Sequence, residues 1–274
     1  MESANIVGYQ NLPTARNLYT FTAQVFLPVQ GDETLGAIAV QKGGSTEVSV
    51  SNFKLTLLDP ASGEPAEITD DPNYPDGVAA EFVYLVPSRA ETLGKTAGWY
   101  YLADRSTNLY PQNDRVIPHG TGFLIRSTAA GGAQLVYSGA VGEDPIEKPA
   151  ARNLYVFTGF ALPKDGTLGD LTVAKGGSTE VSVSNFKLTL LDPASGEPAE
   201  ITDDPNYPDG VSAEFVYLIP SRAETLGKTA GWYYLVDRST NLYPQNDRVL
   251  TAGQGILIRS TAAGGAILTI PSAL

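Results

Sequence analysis

The sequence predicts an all-β protein built as two tandem, near-identical β-sandwich (or open-barrel) domains. Three observations carry that reading. The chain repeats itself: Lys42–Val116 and Lys175–Val249 align without a gap and differ only at Ala79/Ser212, Val86/Ile219 and Ala103/Val236. Its 274 residues include 28 Gly, 19 Pro and 14 Tyr but one Met, which is a strand-and-turn composition. Apolar residues also come in short alternating or β-branched runs bounded by turn residues, with little helical periodicity.

The elements follow in order within each repeat. TEVSVSNFKLTLLD (Thr46–Asp59) alternates through Val48, Val50 and Phe53 and then gives a short apolar run. DPASGE (Asp59–Glu64) reads as a turn. AEFVYLVP (Ala80–Pro87), GWYYLAD (Gly98–Asp104), GFLIRS (Gly122–Ser127) and AQLVYSGAV (Ala133–Val141) have the length and composition of strands. PSRAETLGKTAG (Pro87–Gly98) alone suits a short helix, with Ser88 as cap and Glu91 three residues on. KGGST and AAGGA lack the lysine-after-glycine order of a phosphate loop and read as hairpin turns. Seven to nine short strands per repeat are therefore expected, as roughly a sandwich or an open barrel requires.

Outside the near-identical block the match loosens. ARNLYTFTAQVFLP (Ala15–Pro28) faces ARNLYVFTGFALP (Ala151–Pro163), and Gly120–Val141 faces Gly253–Leu274. The expected units are residues 1–143, with an N-terminal extended segment, and residues 144–274. GEDPIEKPA (Gly142–Ala150), acidic and proline-bearing, is the expected linker.

Composition narrows the partners. With 18 Lys+Arg against 30 Asp+Glu and a formal charge of -12, the chain has no basic run to displace counterions from nucleic-acid phosphates. No apolar stretch approaches the roughly 20 residues that span a bilayer. Cysteine is absent, which excludes disulfides, thiolate nucleophiles and zinc–sulfur sites. Met1-Glu2-Ser3 has neither a basic start nor an apolar segment, so the expectation is an extracellular or cell-surface chain whose leader has been removed.

The chain ends carry the assembly expectation. Ile6-Val7-Gly8 matches Ala140-Val141-Gly142, and Leu274 stops at the position equivalent to Val141. A self-matching repeat of this kind could continue from molecule to molecule, an N-terminal strand adding to a sheet edge of the next subunit. Asn5, Ile6, Val7, Gly8 and Tyr9 at one end and Ile267, Leu268, Ile270 and Leu274 at the other would form that contact. The plain alternative is that these strands pair within their own repeat.

Four motifs resemble a known family. ANIVGYQN (Ala4–Asn11), the RNLY strand after it, GWYYL, and the G-x-G-[FI]-x-I-R segment at Gly120–Arg126 and Gly253–Arg259 are similar to those of secreted tandem β-sandwich repeat proteins of environmental bacteria. The resemblance implies secretion and a surface or matrix role, and it assigns no catalytic residue. The DDPNYPDG block is not part of it.

Candidate chemistry is sparse. DDPNYPDG (Asp70–Gly77, repeated at Asp203–Gly210) places Asp71, Asn73 and Asp76, with Asp204, Asn206 and Asp209 in the second copy, at spacings that suit an oxygen-ligand Ca²⁺ loop. The same residue types also make plain turns, and the EF-hand pattern is absent. His119 has Ala252 as its equivalent, so no triad built on it recurs. Trp99 and Tyr101 share one strand face and Tyr100 the other; with Tyr74 and Tyr110 they suit either sugar stacking or a sandwich core. Arg105, Arg115 and Arg126 are candidates to pair with Asp104 and Asp114.

The leading expectation is thus a non-enzymatic extracellular structural protein, one link of a head-to-tail homopolymer assembled by strand addition. The alternative is a tandem carbohydrate-binding or adhesive module that gains avidity for a polysaccharide from two linked sites. A calcium-dependent surface-layer or matrix protein is the third.

Overall fold

The computed structural model describes residues 7–23, 25, 34–42, 53–104, 110–175, 186–237 and 243–272. It is all-β with two short helices. Among the described residues no helix is long and apolar enough to cross a membrane. Asn5, Ile6, Leu274, Arg105, the KGGST turns and the stretch through Val48 and Val50 lie outside the described residues.

The first repeat contributes β1 (Val7–Thr14), β2 (Tyr19–Ala23), β3 (Ile38–Lys42), β4 (Phe53–Leu57), β5 (Glu67–Ile68), β6 (Val78–Ala79), β7 (Glu81–Leu85), β8 (Gly98–Tyr101), β9 (Gly122–Ser127) and β10 (Ala133–Ala140). Five of these form one antiparallel sheet in the order β2-β9-β4-β7-β8, and three form a second in the order β1-β10-β3. A single core fills the space between them, with Ile38 and Leu135 from the small sheet meeting Phe53, Leu55, Phe82, Trp99 and Ile125 from the large one. Fully burying each such side chain contributes about 1.5–3 kcal/mol, which is what holds two thin sheets together.

The second repeat builds the same arrangement. Its strands are β11 (Ile146–Ala150), β12 (Tyr155–Gly159), β13 (Gly166–Thr167), β14 (Thr172–Lys175), β15 (Phe186–Leu190), β16 (Glu200–Ile201), β17 (Val211–Ser212), β18 (Glu214–Leu218), β19 (Gly231–Tyr234), β20 (Val249–Leu250), β21 (Gly255–Ser260) and β22 (Ala266–Ile270). The sheets run β12-β21-β15-β18-β19 and β11-β22-β14 around their own core. Val141, between the repeats, packs against both cores.

Strand alternation sorts the WYY aromatics. Trp99 and Tyr101 enter the inter-sheet core. Tyr100 points the other way and is buried with Val83, Leu85 and Ala90 under helix α1 (Pro87–Thr92). The Trp99 indole donates to the Ile38 carbonyl at 2.8 Å, and Trp232 repeats the bond to Leu171 at 3.2 Å. These rings are core, and the sugar-stacking expectation for them gives way to the area they bury.

Three local expectations also change. Helix α1 is capped by Val86 with Pro87 in its first turn, where the missing N–H costs nothing; Ser88 lies inside the helix and its carbonyl accepts the Thr92 hydroxyl. AAGGA does turn, with Gly131 and Gly132 at φ 81 and 77, but it connects β9 and β10, which belong to different sheets, and so is no hairpin. The segment expected to link the repeats is half strand, because Ile146–Ala150 is β11.

Both terminal strands find partners in their own repeat. β1 pairs with β10 from Val7↔Ala140 to Thr14↔Ala133. β22, carrying Ile267, Leu268 and Ile270, lies between β11 and β14. Among the described residues, each of these strands is thus paired within its own repeat. The outer strands β1 and β11 each contain a proline, Pro13 and Pro149, which cannot donate to an added strand.

The two repeats meet through reciprocal contacts. The Phe21 N–H donates to the Pro193 carbonyl at 2.8 Å, and the equivalent Phe157 N–H donates to the Pro60 carbonyl at 2.7 Å. The Thr22 hydroxyl donates to the Gly253 carbonyl, and the Thr158 hydroxyl to the Gly120 carbonyl, each at 3.0 Å. Phe21, Leu58 and Leu191 form a small buried cluster there, flanked by Leu124, Phe157 and Leu257. Residue i touching j' while i' touches j is the signature of an isologous, closing contact. The chain has the internal geometry of a homodimer joined into one polypeptide.

Candidate binding site

The duplicated octapeptide spans the turn from β5 to β6, and local chemistry folds it. One Asp71 carboxylate oxygen accepts the Asn73 backbone N–H at 2.9 Å and its side-chain amide at 3.0 Å, an Asx turn. The Tyr74 N–H then returns to the Asp71 carbonyl, and Gly77 closes the next turn at φ 86. That left-handed backbone is what favours glycine here, since a Cβ would meet only the end of the exposed Glu67 side chain.

Long-range partners complete the site. The second Asp71 oxygen accepts the Tyr101 hydroxyl at 3.0 Å and the Gln112 amide at 3.3 Å. Arg115 donates to Asp70 at 2.7 Å and to the Tyr101 oxygen at 3.1 Å, and its guanidinium lies 3.7 Å from Asp71. Tyr74 packs edge-on against both Tyr101 and Tyr110, with centroids 5.1 and 6.3 Å away. Beside this network lies a cavity of about 600 Å³ lined by Asp70, Asn73, Tyr110, Gln112, Asp114 and Arg115, with proline rings and Val116. Val116 is 54% exposed at its edge.

The second repeat copies the network. Asp204 accepts from Asn206, from Tyr234 at 2.9 Å and from Gln245 at 3.2 Å, while Arg248 bridges Asp203 at 2.7 Å. Of the residues lining the first cavity, only Pro118 has a different equivalent, Thr251.

The electrostatics fix the protonation states. Hydrogen bonding to Arg115, with the attraction of its charge, holds the Asp70 carboxyl below its ordinary value. Burial pushes Asp71 up, but donation from Asn73, Tyr101 and Gln112 outweighs it and the net shift is downward. Tyr101 is pushed up to about 12, first by burial and then by its ionised Asp71 partner. The site therefore holds ionised carboxylates, a cationic arginine and a protonated phenol, a set suited to binding and poor in proton transfer near neutral pH.

Asp71 and Asp204 are buried and their oxygens are engaged by protein donors, whereas Asp76 and Asp209 are exposed. Among the described residues, no group of three or more His, Cys, Asp and Glu is arranged to hold a metal. The calcium expectation for these loops draws no support from this placement. Arg115 pairs with Asp70 and Asp71 instead of Asp114, and Arg126 lies 5.1 Å over the Tyr19 ring. Glu81 pairs with Lys54 on the neighbouring strand. The fit of Arg115 against the octapeptide escaped sequence reading because 45 residues separate the pair; its one signal was the repetition of both segments together.

Comparison with protein-family models, with curated proteins and with solved structures finds no match for this chain.

Proposed function

We propose that the protein is a non-enzymatic, bivalent carbohydrate-binding protein acting at a cell surface or in an extracellular matrix. The observation that carries this reading is the Asp70–Arg115–Tyr110 cavity, whose residues recur in the second repeat as Asp203, Arg248 and Tyr243. A sugar presents neighbouring hydroxyls, each a donor and an acceptor. A carboxylate held beside a guanidinium offers both complements in a fixed plane, and tyrosine and proline rings supply apolar faces for the sugar's C–H surface. Cavities of roughly 300–1,000 Å³ are the usual size for small-molecule sites.

Two sites locked in one orientation raise avidity for a repeating polymer without any new contact. The closed pairing of the repeats and the prolines on β1 and β11 favour this reading over a head-to-tail filament. The test is affinity electrophoresis through gels containing neutral or acidic polysaccharides. Retardation is expected for the wild type, partial loss for Asp70→Ala, and near-complete loss for Asp70→Ala/Asp203→Ala. Asp70 is 74% exposed, so these variants keep the fold. Identical migration of all three proteins on every polysaccharide would overturn the proposal.

A further inference from the structure

The outer strands of the two repeats differ in polarity at a position that faces the core in the first repeat. In β1, Leu12 pairs opposite Leu135 and packs against the first core. The equivalent in β11 is Lys148, opposite Leu268 in the same register. Lys148 thus stands where the first repeat has Leu12, on strands that share Pro13/Pro149 but differ at their other equivalent positions.

Lys148 lines a groove of about 400 Å³ between the repeats. The remaining walls are largely apolar, with Leu58, Pro60, Leu154, Tyr155 and Phe157 among them, and Glu147 is the other charged residue of the lining, exposed and next to Lys148 in β11. The ammonium donates to the His119 carbonyl at 3.3 Å and has no carboxylate within ion-pair distance among the described residues. Room for it comes from Gly120, where a Cβ would lie 2.7 Å from Nζ. Burial lowers the Lys148 pKa, as expected for a cation with little compensation.

A desolvated cation against apolar walls destabilises the empty groove, and an incoming anion removes that cost. We propose that this groove binds an apolar molecule ending in a single carboxylate, such as a medium-chain fatty acid, with the carboxylate on Lys148 and the chain along Leu58, Leu154 and Phe157. Because Leu12 stands at the equivalent position, the site occurs once per chain, unlike the duplicated Asp–Tyr–Arg network.

Isothermal titration of the full chain with sodium decanoate, below its micelle concentration, tests the proposal, with 1-decanol as the uncharged control. One decanoate per chain is expected, with 1-decanol at least tenfold weaker. Lys148→Met should lose the preference for decanoate while melting no lower than the wild type, since it removes a poorly compensated charge. Unchanged decanoate affinity in Lys148→Met, equal binding of 1-decanol, two equivalent decanoate sites, or no saturable heat would each overturn it.

Discussion

The backbone N–H of Phe21 reaches across to the carbonyl of Pro193 at 2.8 Å, and Phe157 returns the same bond to Pro60 at 2.7 Å. Reciprocity holds along the backbone but breaks where side chains crowd the pseudo-twofold axis. Phe21 is buried against Gly255, while Phe157 lies over Gly63. Ala23 faces Gly159, its own equivalent, and a Cβ on Gly159 would overlap the Ala23 methyl. A self-facing position on such an axis has room for one methyl. The looser match of the first strands therefore has a physical cause at this point.

That crowding predicts a swap. Gly159→Ala alone should destabilise the chain by about 1–3 kcal/mol through overpacking, read as a lower midpoint in urea. Adding Ala23→Gly should restore most of the loss, because it exchanges the two residues across the axis. Differential scanning calorimetry of the single and double variants checks this. A double variant that melts no higher than Gly159→Ala would remove the crowding argument.

Asp71 anchors the octapeptide, so its substitution should be felt well beyond the loop. Asn in its place would aim an amide N–H₂ at the Tyr101 hydroxyl or the Gln112 amide, both donors to the carboxylate. A loss of about 2–3 kcal/mol is expected from the donors left unsatisfied. Asp204→Asn should cost a similar amount through Tyr234 and Gln245. By contrast Asp76→Asn, at an exposed position, should fall within about 0.5 kcal/mol of the wild type. Chemical denaturation of the three variants makes the comparison.

The same carboxylates set the acid limit. Asp71 and Asp204 have folded pKa values below the ordinary one, since donors outweigh the burial that pushes them up. Asp59 shifts the same way through its hydrogen bonds to the Ser62 and Ala61 N–H groups. A depressed folded pKa gives stability that is complete above the unfolded value of about 3.9 and is lost as pH falls through the folded value. Melting temperature should thus change little from pH 7 to pH 5 and fall steeply below about pH 4. In Asp71→Asn/Asp204→Asn the low-pH fall should be shallower. Scanning fluorimetry across pH reads both.

Much of the fold was legible because its determinants are local. Period-two alternation placed Trp99 and Tyr101 on one face and Tyr100 on the other, and each face proved buried. The turn at Asp59 was equally local, its carboxylate capping Ala61 and Ser62 with Gly63 at φ 74. The relations that escaped are long-range. Nothing near Val7 in sequence specifies β10 as its partner, and the terminal similarity pointed equally well to a neighbouring molecule. Arg115 has Asp114 beside it in the chain, yet folding delivers Asp70, because the loop crosses the end of β8 where Tyr101 stands. Lys148 looked like a linker charge until β11 placed it in the register of Leu12.

Burial of the indoles gives the most direct test of the core assignment. Trp99 and Trp232 are fully buried between the sheets, each donating its N–H to a backbone carbonyl. Edge-on contacts with Phe53 and Tyr84 around Trp99, and with Phe186 and Tyr217 around Trp232, leave no face open to solvent or to a sugar. Native fluorescence should be blue-shifted and resist quenching by iodide, shifting red and becoming quenchable only on unfolding. Polysaccharide binding should leave the emission essentially unchanged, because the Asp70–Arg115 cavity contacts the octapeptide loop and not the indole. Trp99→Ala should cost about 3–5 kcal/mol, as a large core ring does. Strong iodide quenching in the native state would place these rings at the surface and restore them as the stacking platform.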